Sequence, residues 1–130
     1  VLKSWDTILQ RYASHPRLVA VEVFNEPQSQ TDYTTWNSVA RQMVQYIDSR
    51  YGQYDLLYWV DGIGWGGDIS YINLEGNEWS DRVRYNIHKY SFNQLSNGQT
   101  WEESWEYSFN LHDHPPDKIV VSEWGWISDR

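Results

Sequence analysis

The stretch Leu18-Val19-Ala20-Val21-Glu22-Val23-Phe24, followed at once by Asn25-Glu26-Pro27, decides the fold. Its first seven residues are an apolar run, three of them β-branched valines, interrupted only by Glu22. That is the pattern of a strand buried on both faces, and such strands belong to parallel sheets. Pro27 closes the strand, because a proline has no N–H to give to a ladder.

Working outward, Trp5, Ile8, Leu9 and Tyr12 recur at i, i+3, i+4 and i+7 and predict a helix over 2–13, stopped by Pro16. After Pro27, a loop leads to a second helix over about 33–50. Its stripe is Trp36, Val39, Ala40, Met43, Val44 and Ile47, with Thr31 or Asp32 as cap and Gly52 as stop. Leu56–Asp61 reads as another short buried strand. Residues 62–80 are rich in Gly, Asn, Asp and Ser and read as a long loop with at most one helical turn. Arg82–Tyr90 is a third strand. Thr100 and Glu103 form a capping box that opens a helix carrying Trp101, Trp105 and Phe109 on one side and ending by Pro115-Pro116. Lys118–Glu123 is a fourth strand.

Alternating strands and helices imply right-handed crossovers and a parallel sheet. An open doubly wound sheet and a (β/α)8 barrel both fit. A complete barrel needs about 250 residues, so 130 residues supply about half of one. There is no internal repeat or linker, and residues 1–130 read as one unit.

Composition narrows the function. With 40% hydrophobic and 22% charged residues, disorder is not expected. The net charge of −8 argues against nucleic acid, whose phosphates need clustered Lys and Arg. No apolar run approaches the roughly 20 residues of a membrane span. No charged-then-apolar leader is visible, so no signal peptide is expected within these residues. The absence of cysteine excludes disulfides and Cys metal sites. Nine Trp and ten Tyr stand against three Phe. Their flat apolar faces and polar handles suit sugars, although core packing accounts equally well for any single one.

Functional groups of parallel α/β folds sit where strands end and loops begin. The four strand ends are Phe24-Asn25-Glu26-Pro27, Val60-Asp61-Gly62, Ile87-His88-Lys89-Tyr90 and Ser122-Glu123-Trp124-Gly125. Two carry a glutamate, and a third carries His88 and Tyr90 two apart, on one side of the strand. By alternation, Ile119, Val121 and Glu123 share an inward face. Two carboxylates facing one cleft are what glycoside hydrolysis requires.

Asn25-Glu26-Pro27 at the end of a buried strand resembles the acid/base signature of the clan of retaining (β/α)8 glycosidases. Glu123-Trp124-Gly125 resembles the nucleophile signature of glycoside hydrolase family 5, the cellulase family. His88-Lys89-Tyr90 resembles the His-x-Tyr of the strand before it. The three occur in family order across nearly the whole chain, from the third helix through the seventh strand. The resemblance therefore implies a partial barrel built of strands four to seven. It implies a retaining enzyme acting on a β-linked polysaccharide or oligosaccharide, first of all an endo-β-1,4-glucanase, with no cofactor and no metal. It also implies a secreted or extracellular protein.

The same resemblance implies roles. Glu26 is the acid/base and Glu123 the nucleophile. Asn25 binds the sugar 2-hydroxyl, Tyr90 hydrogen-bonds the nucleophile, and His88 lines the cleft. Trp124 and Trp126, after the nucleophile, are expected in the cleft, and Trp65 on a flexible rim. The family's strands one to three and eight are not in these residues. The chain alone is thus expected to lack a closed barrel and a full subsite, to expose two sheet edges, and as an isolated piece to be open to inactivity.

Weaker signals have plainer readings. Gly62–Gly67 lacks the Gly-Lys-Ser/Thr of a phosphate loop. His112-Asp113-His114 reads as a solvated helix end rather than a metal site. Trp79 either stacks on sugar or packs under the loop. Glu22 shares a face with Glu26 by alternation, so it points inward and needs a partner, expected from strands outside the chain. The competing functions are a β-mannanase or β-1,3-glucanase of the same clan, and a non-catalytic carbohydrate-binding relic with misplaced carboxylates. The oligomeric state is not legible.

Overall fold

Helix α1 (Leu2–Tyr12) precedes strand β1 (Ala20–Glu22), helix α2 (Tyr33–Tyr51), strand β2 (Leu57–Asp61), strand β3 (Val83–Tyr90), helix α3 (Trp101–Phe109) and strand β4 (Ile119–Gly125). The structure, a computed structural model, describes residues 1–28, 31–90 and 98–125. The strands form one sheet in the order β1-β2-β3-β4, and every pair is parallel. Sequential order with no reversal is the arrangement of a barrel wall, whereas a doubly wound sheet reverses.

The layers follow from the register. Residues opposite each other on neighbouring strands point to the same face. One face carries Val21, Tyr58, Val60, Val83, Tyr85 and Ile87, all buried. It packs against Leu9 of α1 and Trp36, Ala40, Met43, Val44 and Ile47 of α2. The opposite face carries Ala20, Glu22, Leu57, Trp59 and Arg84, half-buried, and then Asp61, Asn86 and His88, buried. The described strands are thus covered by helices on one side only. This is about half of a (β/α)8 barrel, with the inner wall open where further strands would close it. The expectation of strands buried on both faces holds on the helix side, and on the inner side only for Asp61, Asn86 and His88 at its C-terminal end.

The helices depart from the sequence reading in detail. In α1 only Leu9 of the stripe is fully buried, while Ile8 and Tyr12 are exposed. Asp32 caps α2 by accepting from the Thr35 amide at 2.9 Å. The α-helix ends at Tyr51 with Gly52 as its C-cap, as read, but in a right-handed conformation. The chain continues through a 3₁₀ turn, and Asp55 takes the left-handed conformation instead. The Thr100–Glu103 capping box forms as read. Ser104 and Ser108 are the buried residues of α3, while Trp105 is exposed against Phe109.

The loop 62–80 is pinned rather than loose. Ile69, Ile72, Leu74 and Trp79 are buried. Helix α2 holds the loop by Asn37 Nδ2 to the Tyr71 carbonyl (3.0 Å) and Arg41 to the carbonyls of Asn73 and Glu75 (3.0 and 3.2 Å). Trp79 therefore packs under the loop, beneath the Arg41 guanidinium. His114 stacks on Tyr85 with ring centroids 4.1 Å apart, which makes it a packing residue.

Candidate functional site

The C-terminal ends of the strands converge on His88. Its ring is buried on β3 and lies between two glutamates. Nδ1 is 3.0 Å from Glu26 Oε1 and 3.7 Å from Glu123 Oε2. Nε2 faces Ser122 Oγ at 3.0 Å and Asn86 Nδ2 at 3.3 Å. Whichever ring nitrogen carries the proton donates and the other accepts, so the ring couples Glu26 on one side to Asn86 and Ser122 on the other. Tyr90, two residues on, donates to Glu123 Oε2 at 2.8 Å. That bond raises the Tyr90 phenol above its usual range, so it remains a donor.

Glu26 reaches the site by a bend, not by strand alternation. β1 ends at Glu22, and Glu26 itself has a left-handed backbone, φ 50°. A non-glycine residue held there needs support from its surroundings. Asp61, buried at the end of β2, accepts from the Glu26 amide at 2.8 Å.

Glu123 faces the cleft for a reason that alternation misses. The pairing of β3 with β4 shifts between Ile87 and His88: Ile87 lies opposite Val121, but His88 lies opposite Glu123. Ser122 is the extra residue of this bulge. Ile119 and Val121 therefore share the helix-side face of Tyr85 and Ile87, not the face of Glu123. The bulge leaves Ser122 and Glu123 both beside His88.

Glycine explains the position of His88. Gly66 has φ +75°, and a Cβ built there would lie 2.7 Å from His88 Cγ. The His88 amide donates to the Gly66 carbonyl at 3.0 Å, and the Trp65 amide to the Pro27 carbonyl at 3.0 Å. The Gly62–Gly67 run is thus a close backbone approach to β3. Trp65 projects beside it, 54% exposed.

Beneath the two glutamates lies a polar wall. Asn86 donates to Asp61 Oδ1 at 2.8 Å and lies 3.5 Å from Glu22 Oε2. Glu22 does point inward, but it meets its neighbour within this chain. Burial raises the Glu22 carboxyl, and the charges of Asp61, Glu123 and Glu26 raise it further against His88. Burial likewise raises Asp61, opposed by its hydrogen bonds from Glu26 and Asn86.

Two triplets have metal-ligand character among the described residues: Glu22, Asp61 and His88, and Glu26, His88 and Glu123. In each, one potential ligand atom per residue lies within 4.8 Å of the others. In the first, both Asp61 oxygens already accept hydrogen bonds.

Of the residues named from sequence, Glu26, His88, Tyr90 and Glu123 come together. Asn25 lies exposed at the same rim. Trp124 is 74% exposed and opposite Lys89, on the helix-side face rather than in the cleft. Trp126 lies outside the described residues. Asp61, Asn86, Ser122 and Gly66 received no role from sequence. The signal for the first two was available, as polar residues inside otherwise apolar or paired strands.

A family model described as Cellulase (glycosyl hydrolase family 5) matches residues 1–129. No curated protein matches the chain. Two solved structures of the beta-glucanase SdGluc5_26A from Saccharophagus degradans, one native and one in complex with cellotetraose, match its fold. Each has a TM-score of 0.76 and 18% identity, and covers 98% of this chain. The chain spans 39% of the length of those proteins. No helix among the described residues is long and apolar enough to cross a membrane.

Proposed function

Because the chain belongs to the cellulase family, glycosyl hydrolase family 5, we propose that residues 1–130 form part of the catalytic domain of a retaining glycoside hydrolase. The observation that carries this is the approach of the carboxylates. Ligand-capable oxygens of Glu26 and Glu123 lie within 4.8 Å of each other. A retaining pair is about 5–5.5 Å apart, and an inverting pair needs about 6.5–9.5 Å to admit water. A relic with misplaced carboxylates would not keep that approach.

The reaction has two displacements. Glu123 attacks the anomeric carbon while Glu26 protonates the departing glycosidic oxygen, and a glycosyl ester forms. Water then attacks the same carbon, Glu26 takes its proton, and Glu123 leaves as carboxylate. Tyr90 orients Glu123, His88 orients Glu26, and Asn25 meets the 2-hydroxyl. Trp65 offers an apolar face to a sugar ring.

The substrate is a β-linked glucan, cleaved internally at β-1,4 bonds. Support comes from the family and from the structural neighbour, a beta-glucanase with a cellotetraose complex. The enzyme acts outside the cell, where such polymers lie. In the full-length protein, Glu123→Ala is expected to lose activity by several orders of magnitude. Added azide should restore turnover and give a glycosyl azide of inverted configuration. Absence of rescue would refute the retaining assignment.

A further inference from the structure

Two buried side chains that this scheme leaves unused link the backbone of Glu26 to that of Ser122, the residue before Glu123. The Glu26 amide donates to Asp61 Oδ2 at 2.8 Å. Asn86 Nδ2 donates to Asp61 Oδ1 at 2.8 Å. Asn86 Oδ1 in turn accepts from the amide of Ser122 at 3.2 Å, one residue before Glu123. The chain of bonds runs from the Glu26 backbone, through β2 and β3, to the bulge of β4. Asp61 and Asn86 are both 0% exposed. The Trp36 indole, donating to the Asp61 carbonyl at 2.8 Å, fixes the middle of the chain to α2.

The residue types match their tasks. An aspartate offers two acceptors and meets two donors. An asparagine donates on one side and accepts on the other. Burial makes any mismatch costly, because no water replaces a lost partner. The residues held at the two ends are the ones whose separation decides between direct attack and attack through water. Glu26 has the left-handed backbone that needs such a hold, and the bulge at Ser122 departs from a regular ladder.

We propose that Asp61 and Asn86 are positioning residues that set the distance between the acid/base Glu26 and the nucleophile Glu123. The inference rests on the retaining reading above.

The test exchanges the two residues in the full-length enzyme. D61N turns an amide nitrogen toward another N–H, either that of Glu26 or that of Asn86. N86D sets a carboxylate against Asp61. The double exchange D61N/N86D re-forms the chain in the opposite sense. The new amide accepts from Glu26 and donates to the new carboxylate, whose other oxygen takes the Ser122 amide.

Each single exchange is expected to lower kcat about 100-fold, the scale of an ångström of misplacement, with KM changed less than about 2-fold. The double exchange should recover at least about tenfold of that loss relative to the singles. Asn86→Ser, which leaves room for water, serves as a second break in the chain if the charged variant does not fold. It should show the same kcat loss at unchanged KM. A purely structural role would lower Tm while leaving kcat per folded molecule intact. That result, or a double exchange no better than the singles, would overturn the proposal. Failure of the retaining reading shows separately, as Glu123→Ala without azide rescue.

Discussion

Glu22 shows how a single residue couples the site to stability. Its carboxyl holds its proton to a higher pH in the folded chain than its ordinary value of 4.5, through burial first and the surrounding carboxylates second. Below that ordinary value both folded and unfolded chains are protonated, and the group contributes nothing to the pH dependence. As pH rises through the window up to the raised folded value, the unfolded chain ionises first and stability falls. Above the raised folded value the full penalty is present. Glu22→Gln is therefore expected to raise Tm at pH 7, with the gain disappearing in acid below the usual carboxylate range. Thermal melts across pH check this, and a gain independent of pH would contradict it. The inward direction of Glu22 was legible from period-two alternation. Its neighbour was not, because Asn86 lies on another strand and period alone does not name cross-strand partners. Glu26 and Glu123 were legible for a different reason: Asn25-Glu26-Pro27 and Glu123-Trp124-Gly125 each resemble a family signature near a strand end.

Among the elements, the glycine run was the least transparent. Gly-rich composition signals either freedom or close approach, and sequence does not separate the two. Gly64 and Gly66 separate them experimentally. Both have positive φ, but a Cβ at Gly64 meets nothing within 4 Å, while one at Gly66 runs into His88. Gly64→Ala should cost only the left-handed backbone, about 1–2 kcal/mol. Gly66→Ala should cost more than that and also displace His88. Denaturant midpoints measure the first effect, and kcat in the full-length enzyme the second. Equal stability costs would mean that the approach to His88 carries no strain. The helices were easier to read. Helical spacing marked Trp36, Val39, Ala40, Met43, Val44 and Ile47 of α2, and all of these but the exposed Val39 cover the sheet. For α3 the aromatic residues drew attention, yet Ser104 and Ser108 face the core, and Ser104 accepts from the buried Lys89 at 2.8 Å. Small polar residues lie under a helix where a buried donor on the strand needs an acceptor.

At the scale of the whole molecule, the described helices all lie on one side of the sheet, and β1 and β4 are its edges. Val121 on β4 is exposed where an outer helix would cover a complete barrel. Unpaired edges with apolar residues invite pairing between chains. The isolated 130-residue polypeptide is expected to self-associate in a concentration-dependent way. Sedimentation equilibrium checks this, and a monomer at every concentration would contradict it. The half-open inner wall is also why the barrel was legible only as a fraction: four strand patterns establish the architecture, but closure depends on partners outside these residues. The bulge at Ser122 bears on how such a wall can change over generations. A regular strand that gains one amino acid inverts every side chain downstream and exchanges core for solvent. Where the added residue is absorbed locally, as it is here, the downstream chain keeps its orientation and a new polar group joins the cleft. A codon inserted at such a point enlarges the chemistry of the wall and leaves its hydrophobic pattern intact.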